Sequence, residues 1–197
     1  MTIVNPSDQL TAARPQRADA RRNYDKVVAA ARDAFAEGGA ATSLEEIARR
    51  AQVGIGTLYR HFPNRQALVE AVYLDEVKEL SESATDLAGL PPWEALHGWL
   101  HRLVAYLVTK RALTPELLKY VDRDAAVFQS SRAAVWSAGE PLLERAQQAG
   151  VVRVDTDLTE VIHMMIGIAN IPAGDPGQID HILEMALDGL RHPAPRP

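Results

Sequence analysis

The chain has 197 residues, 47% of them hydrophobic and 24% charged, values ordinary for a globular protein that exclude long disorder and fibrous repeats. It has no cysteine, which removes disulfides, thiolate metal sites, iron–sulfur clusters and cysteine nucleophiles together and suits a reducing compartment. The net charge of −5 by itself argues against nucleic acid as a partner, yet residues 1–66 carry ten Lys/Arg against seven acids while residues 67–197 carry eleven against nineteen. An acidic body with a basic N-terminal head is the asymmetry to be explained.

Almost every segment reads as helix. Residues 1–18, with two prolines and the spaced Arg14 and Arg17, are expected to be a flexible basic arm. From Asp19 to Glu37 the apolar Tyr24, Val27, Val28, Ala31, Ala34 and Phe35 recur at helical spacing, and Gly38-Gly39 ends the helix. Ser43 with Glu46 predicts a capping box for a second helix, whose Leu44, Ile47, Ala48 and Ala51 share one face. Gly54 is expected to permit the sharp turn that follows. Ile55 to Phe62 is a third helix of about two turns, stopped by Pro63. Asn64 then caps a fourth helix reaching Leu87, and Leu90-Pro91-Pro92 breaks the chain. Helices are predicted from Trp93 to Lys110, from Glu116 to Tyr120 with Pro115 at the start, and from Asp124 to Ala149 with a bend at Gly139 and Pro141. Gly150 to Asp155 is a loop. The last two helices run from Thr156 to Ile171 and from Pro176 to Arg191, the latter with Asp175 and Gln178 as a cap pair. The fold class is all-α.

The first residues lack a basic n-region and an apolar h-region, so no secretory signal is expected. The most apolar stretch, Val161 to Ala173, is short and holds His163 and Asn170, so no membrane span is expected either, and a cytoplasmic location is the expectation.

A helix, a capped short helix, a glycine-containing turn and a second short helix make a helix-turn-helix arrangement. Val53 and Leu58 can plug the angle between the two short helices, and Ala48 is small enough for a close crossing. The third helix exposes Thr57, Tyr59, Arg60 and His61, all able to hydrogen-bond to phosphate or base edges. Periodicity alone leaves open that these are only the solvated face of a helical bundle.

The residues themselves go further. Leu44-Glu45-Glu46-Ile47-Ala48-Arg49-Arg50-Ala51-Gln52-Val53-Gly54-Ile55-Gly56-Thr57-Leu58-Tyr59-Arg60-His61-Phe62-Pro63-Asn64-Arg65 resembles the DNA-binding signature of TetR-family transcriptional regulators. The preceding Ala34-Phe35-Ala36-Glu37-Gly38-Gly39 and the following Leu68-Val69 are similar as well, so the likeness is dense over Arg21 to Tyr73. Beyond it, Pro91-Pro92-Trp93-Glu94-Ala95-Leu96, Trp99-Leu100 and Thr109-Lys110-Arg111 resemble one bacterial subgroup of that family. The resemblance implies an all-α homodimer that binds a palindromic operator in double-stranded DNA, with a variable C-terminal domain that takes a small effector.

Carried over by position, Ser43, Tyr59, His61 and Arg65 would contact phosphate. Ile55, Gly56, Thr57 and Arg60 would face the major groove, with Arg60 suited to bidentate guanine readout. Arg21 and Arg22 would touch backbone or minor groove. Many members have serine where Gly54 stands and a polar residue where Ile55 stands, so one hydroxyl is lost and Ile55 offers only apolar contact. Residues 19–66 form the DNA-binding domain, 67–192 the effector and dimerisation domain, and 193–197 a tail.

Trp99, Leu103, Tyr106, Phe128, Trp136, Met164, Met165 and Ile168 are either core or the lining of a pocket for a small apolar or aromatic effector, since flat rings and adaptable methionines suit such a ligand. Ile166, Ile179, Ile182, Leu183, Ala186 and Leu190 are either subunit core or a dimer interface built as a four-helix bundle. His97 and His101 lie four apart on one helix, as two zinc ligands would, but no His-Glu-x-x-His motif supplies a third. They read as surface or pocket-lining residues, and neither metal nor cofactor is expected. Gly54-Ile55-Gly56 fails as a dinucleotide loop, because Tyr59 occupies the third glycine position and no strand precedes it. No Walker sequence or nucleophile elbow exists, so no enzyme is expected. The reading is a repressor released from its operator by an effector that shifts the fourth helix, whose start is tied to DNA through Arg65. Its alternatives are a DNA-binding regulator whose C-terminal domain only dimerises and, remotely, a helical metal-dependent enzyme.

Overall fold

The computed structural model describes residues 18–38, 42–120, 122, 125–172 and 176–191. Among them stand eight α-helices and no strand: α1 (Ala18–Gly38), α2 (Leu44–Arg50), α3 (Ile55–His61), α4 (Arg65–Leu87), α5 (Pro92–Leu117), α6 (Ala126–Gln148), α7 (Leu158–Ala169) and α8 (Pro176–Leu190). The all-α class and most boundaries agree with the apolar periodicity. None of the described helices is long and apolar enough to cross a membrane. The expected arm, the Asp175 cap and the tail lie outside the described residues.

One element differs. The break after Lys110 and the separate helix from Glu116 to Tyr120 do not form, because α5 continues through Pro115 to Leu117. Proline has no N–H for the ladder, but the Thr114 hydroxyl donates to the Lys110 carbonyl at 2.7 Å. Leu113 and Leu117, one turn apart, are both fully buried. Their burial, about 2 kcal/mol each, holds the axis across the proline. The α6 segment is likewise one element through Gly139 and Pro141.

The chain packs as two compact units. The first is built from the described residues of Met1–Lys78 and Thr109–Ser131. Its core holds Val27, Val28, Ala31, Ala34 and Phe35 of α1, Ile47 and Ala48 of α2, Leu58 of α3, Phe62, and Leu68, Val69, Val72 and Tyr73 of α4. The second comprises the described residues of Glu79–Val108 and Arg132–Pro197. There Trp99 is fully buried, and its ring lies so close to the α6 backbone that a Cβ on Gly139 would collide with Trp99 Cη2. Gly139 thus serves as a seat for an indole. Arg145 donates to the carbonyls of Ala88 and Leu90 between α4 and α5, the latter at 3.0 Å.

The ends of α6 and α7 follow standard capping. Gly150 (φ 70°) takes the left-handed position after α6, with Val151 N–H bonding Ala146 C=O at 3.1 Å and Gly150 N–H bonding Gln147 C=O at 2.9 Å, a Schellman arrangement. Asp157 and Glu160 form a full capping box at the start of α7, two residues beyond the predicted start at Thr156. The Asp-x-x-Glu spacing was its sequence signal.

Candidate nucleic-acid interface

Three short-range devices build the head. Ser43 caps α2, its Oγ accepting from Glu46 N–H at 3.1 Å. Only this half of the expected capping box forms. The Glu46 carboxylate turns instead to Arg49 (2.7 and 2.8 Å) and Arg50 (2.8 Å), and these hydrogen bonds hold it down at about 2. Arg50 also donates to Glu37 of α1 at 2.6 Å.

The second device corrects the role expected of Gly54. Its backbone is ordinary (φ −66°, ψ 143°), and the left-handed residue of the turn is Gln52 at φ 55°. Val53 N–H bonds Ala48 C=O at 3.0 Å and Gln52 N–H bonds Arg49 C=O at 3.1 Å. This is the same Schellman closure that ends α6, made without glycine. Leu58 is fully buried beneath the turn, as expected, whereas Val53 is half-buried.

The third device is Asn64, whose Oδ1 accepts from Ala67 N–H at 2.9 Å and starts α4 as expected.

These devices leave one face of α3 to solvent. Ile55 and Tyr59 are 39% and 43% exposed, and Gly56 and Arg60 are exposed beside them. Added Cβ atoms at Gly54 or Gly56 would meet nothing within 4 Å. Arg60 rests along its own helix, Nε donating to Gly56 C=O at 3.2 Å and Nη2 to Thr57 Oγ at 3.1 Å. Thr57 is half-buried. His61 is half-buried too, its ring edge-on to Tyr24 with centroids 6.1 Å apart. Arg21 and Arg22 are exposed on the first turns of α1, with Arg22 paired to Asp19.

Arg65, expected at a phosphate, has partners inside its own chain. Its Nη1 donates to Thr42 C=O at 2.7 Å, its Nε lies 3.3 Å from Glu116 Oε1, and its guanidinium stands 5.5 Å from the Phe35 ring centre. Reaching a phosphate would take one of its partners from Glu116, which is 5% exposed. A negative charge left there without Arg65 is costly. Glu116 also accepts from Lys119 at 2.5 Å, and that bond, with the charges of Lys119 and Arg65, holds its carboxyl below the usual range. Within the chain, Arg65 links the start of α4 to the last turn of α5.

Two family models match the chain. One, for the bacterial regulatory proteins of the tetR family, covers residues 27–72, and the other, for the C-terminal domain of SbtR-like transcriptional regulators, covers residues 91–192. The chain is a TetR-family transcriptional regulator. The crystal structure of the TetR transcriptional regulator SCO0520 from Streptomyces coelicolor is 40% identical, with a TM-score of 0.77 over 87% of this chain and 99% of that one. A TetR regulatory protein from Mycobacterium vanbaalenii is 35% identical, with a TM-score of 0.73 over 90% and 99%. Among characterised sequences, the HTH-type transcriptional regulator UidR of Escherichia coli (strain K12) is 23% identical over 76% of this chain and 79% of its own length.

A TetR-family regulator is a DNA-binding protein and not an enzyme, which disposes of the metalloenzyme alternative.

The remaining expected sites fall less neatly. Of the pocket residues, Trp99, Leu103, Tyr106, Met165 and Ile168 are buried, and Trp136 and Met164 are half-buried. Phe128 belongs to the first unit, where it meets Tyr73 edge-on at 5.5 Å. The Trp99 indole N–H is buried without an acceptor among the described residues. On α8, Leu183 and Leu190 are 1% and 6% exposed in the single chain, so they are packed within the subunit. Ile179, Ile182 and Ala186 are half-buried. The large apolar residues that do face outward here are Ile166, at 37%, and Met185, at 56%. Sequence reasoning missed Met185 because it lies off the α8 apolar stripe.

Proposed function

We propose that this TetR-family regulator is a cytoplasmic homodimeric repressor that holds a palindromic operator through two α3 helices and lets it go when a small apolar or aromatic effector binds within residues 67–192. The observation that carries the DNA part is the exposed α3 face. Ile55 and Tyr59 are left half in water on a helix otherwise anchored by buried Leu58. Apolar contact of Ile55 suits a thymine methyl, the Tyr59 hydroxyl suits phosphate, and Arg60 suits guanine. Two-fold symmetry sets the half-sites about one helical turn apart. The buried Trp99 N–H without an acceptor supports the effector part, since a ligand with an acceptor atom would satisfy it. Ile166 and Met185 support a dimer face on α7 and α8.

Selection of bound sequences from random DNA tests the first part. Arg60→Ala should relax preference at one base pair per half-site, at about 1–3 kcal/mol per contact. Unchanged information content in the selected sites would remove Arg60 from readout. Tyr59→Phe should weaken operator and random DNA alike. For the effector, ligands found by tryptophan emission should bind operator-loaded protein more weakly, by the same factor that they weaken DNA. A broad screen in which no compound alters operator affinity would favour a C-terminal domain that only dimerises.

A further inference from the structure

His97 and His101 stand one turn apart on α5, and the second unit brings Glu184 of α8 between them. Glu184 Oε2 lies 3.2 Å from His97 Nε2 and Oε1 lies 2.8 Å from His101 Nε2, and the two imidazole centres are 4.6 Å apart. This is the third ligand that the sequence lacked as a motif. We propose that His97, His101 and Glu184 form a divalent transition-metal site of the zinc class, bridging α5 and α8.

The donor set carries the choice of metal. Two imidazole nitrogens and one carboxylate oxygen suit Zn²⁺ and its neighbours, whereas Mg²⁺ and Ca²⁺ call for oxygen ligands. One atom from each residue already lies within 4.8 Å of the others. A tetrahedral site with bonds near 2.1 Å has edges of about 3.4 Å, so side-chain rotation alone closes the cluster. The three side chains are 31%, 34% and 49% exposed, which leaves an entry path and room for water at a fourth position. Metal entry requires each imidazole to carry its proton at Nδ1, leaving the Nε2 lone pair for the cation. The Trp93 ring centre lies 5.6 Å from that of His97 and the Arg191 guanidinium 4.9 Å from the Trp93 centre, so an indole reports on the site.

The test is calorimetric titration of Zn²⁺ into chelator-treated full-length protein, with Co²⁺ absorption and Trp93 emission as second readouts. The proposal expects one saturable Zn²⁺ per chain, a visible Co²⁺ band, a change in emission and a raised Tm. It also expects loss of all four in His97→Ala and in His101→Ala. Glu184→Gln, which keeps shape and hydrogen bonding but is a poor ligand, should lose or strongly weaken binding while its metal-free Tm stays near that of the native chain. His163→Ala, an exposed histidine elsewhere, should bind as the native chain does, and Mg²⁺ should not compete. No saturable Zn²⁺ binding to the native chain, or binding that survives Glu184→Gln and the two histidine variants, overturns the proposal and leaves a histidine–glutamate hydrogen-bonded pair.

Discussion

Gln52 and Gly150 occupy the same left-handed position of the same closure, one at the turn of the DNA-binding head and one after α6. Glycine adopts this backbone without penalty, but a Cβ-bearing residue pays about 1–2 kcal/mol. Gln52→Gly should therefore stabilise the protein by about 0.5–1 kcal/mol, part of the relief being offset by the greater freedom of glycine in the unfolded chain. Denaturant midpoints at constant slope would check it, and a destabilised variant would mean that the Gln52 side chain makes up the strain. The Arg65 guanidinium sets a second prediction at this scale. Arg65→Ala should cost about 2 kcal/mol, short of the roughly 3–5 kcal/mol for breaking a fully buried pair, because Arg65 keeps 22% of its side chain in water and Glu116 keeps Lys119. In DNA binding it should leave the salt slope unchanged, while loss of a true phosphate contact lowers that slope by about one unit per half-site.

At the scale of elements, α6 and α5 meet where Trp99 lies on Gly139. Gly139→Ala should destabilise despite the roughly 1 kcal/mol that alanine brings to a helix, since overpacking a full core costs about 1–3 kcal/mol. Trp99→Phe removes the very atoms that the new methyl would strike. It should therefore cost less in the Gly139→Ala background than in the native one, and a double-mutant cycle measures the difference. Gly139 also shows where sequence reading runs out. Its residue type signalled a bend, while its use is contact with a ring supplied from another helix. The same limit appears on α8, whose stripe was legible as apolar, while its division into buried Leu183, Leu187 and Leu190 and half-buried Ile179, Ile182 and Ala186 was not. Periodicity names the face and cannot name its partner. Local signals fared better: Asn64, the Ser43 bond to Glu46, and the boundaries of α3 and α4 were all readable within a few residues. The Arg65–Glu116 pair and the His97–His101–Glu184 cluster join distant segments, and no window along the chain contains them.

At the scale of the whole molecule, stability should respond to acid through carboxylates held below their ordinary range. Glu46 titrates at about 2 against an ordinary 4.5, and Glu116 is shifted the same way, first by Lys119. A depressed folded value means stability that is complete above about pH 4.5 and is lost as pH falls toward the folded value. The gap in Tm between the native chain and Glu116→Gln should therefore be wide at about pH 7 and narrow at about pH 3, and Glu46→Gln should show the same trend. A gap independent of pH would mean that neither pairing survives in solution. The charge asymmetry belongs to this scale as well. Ten cations lie in residues 1–66 and nineteen acids in residues 67–197, so any salt-dependent hold on DNA must come from the head, against repulsion by the body.

The open space around Gly54 and Gly56 gives the regulator a rewritable address. Side chains added there displace nothing within 4 Å, and alanine or a longer helix-former at position 56 brings helix propensity rather than strain. Most surfaces that read a target are already crowded, so a change of specificity also disturbs the fold. If α3 reads the operator as proposed, a library at these two positions would sample new base contacts on a scaffold whose stability is set by other residues, and the family's missing serine hydroxyl would become one choice among many.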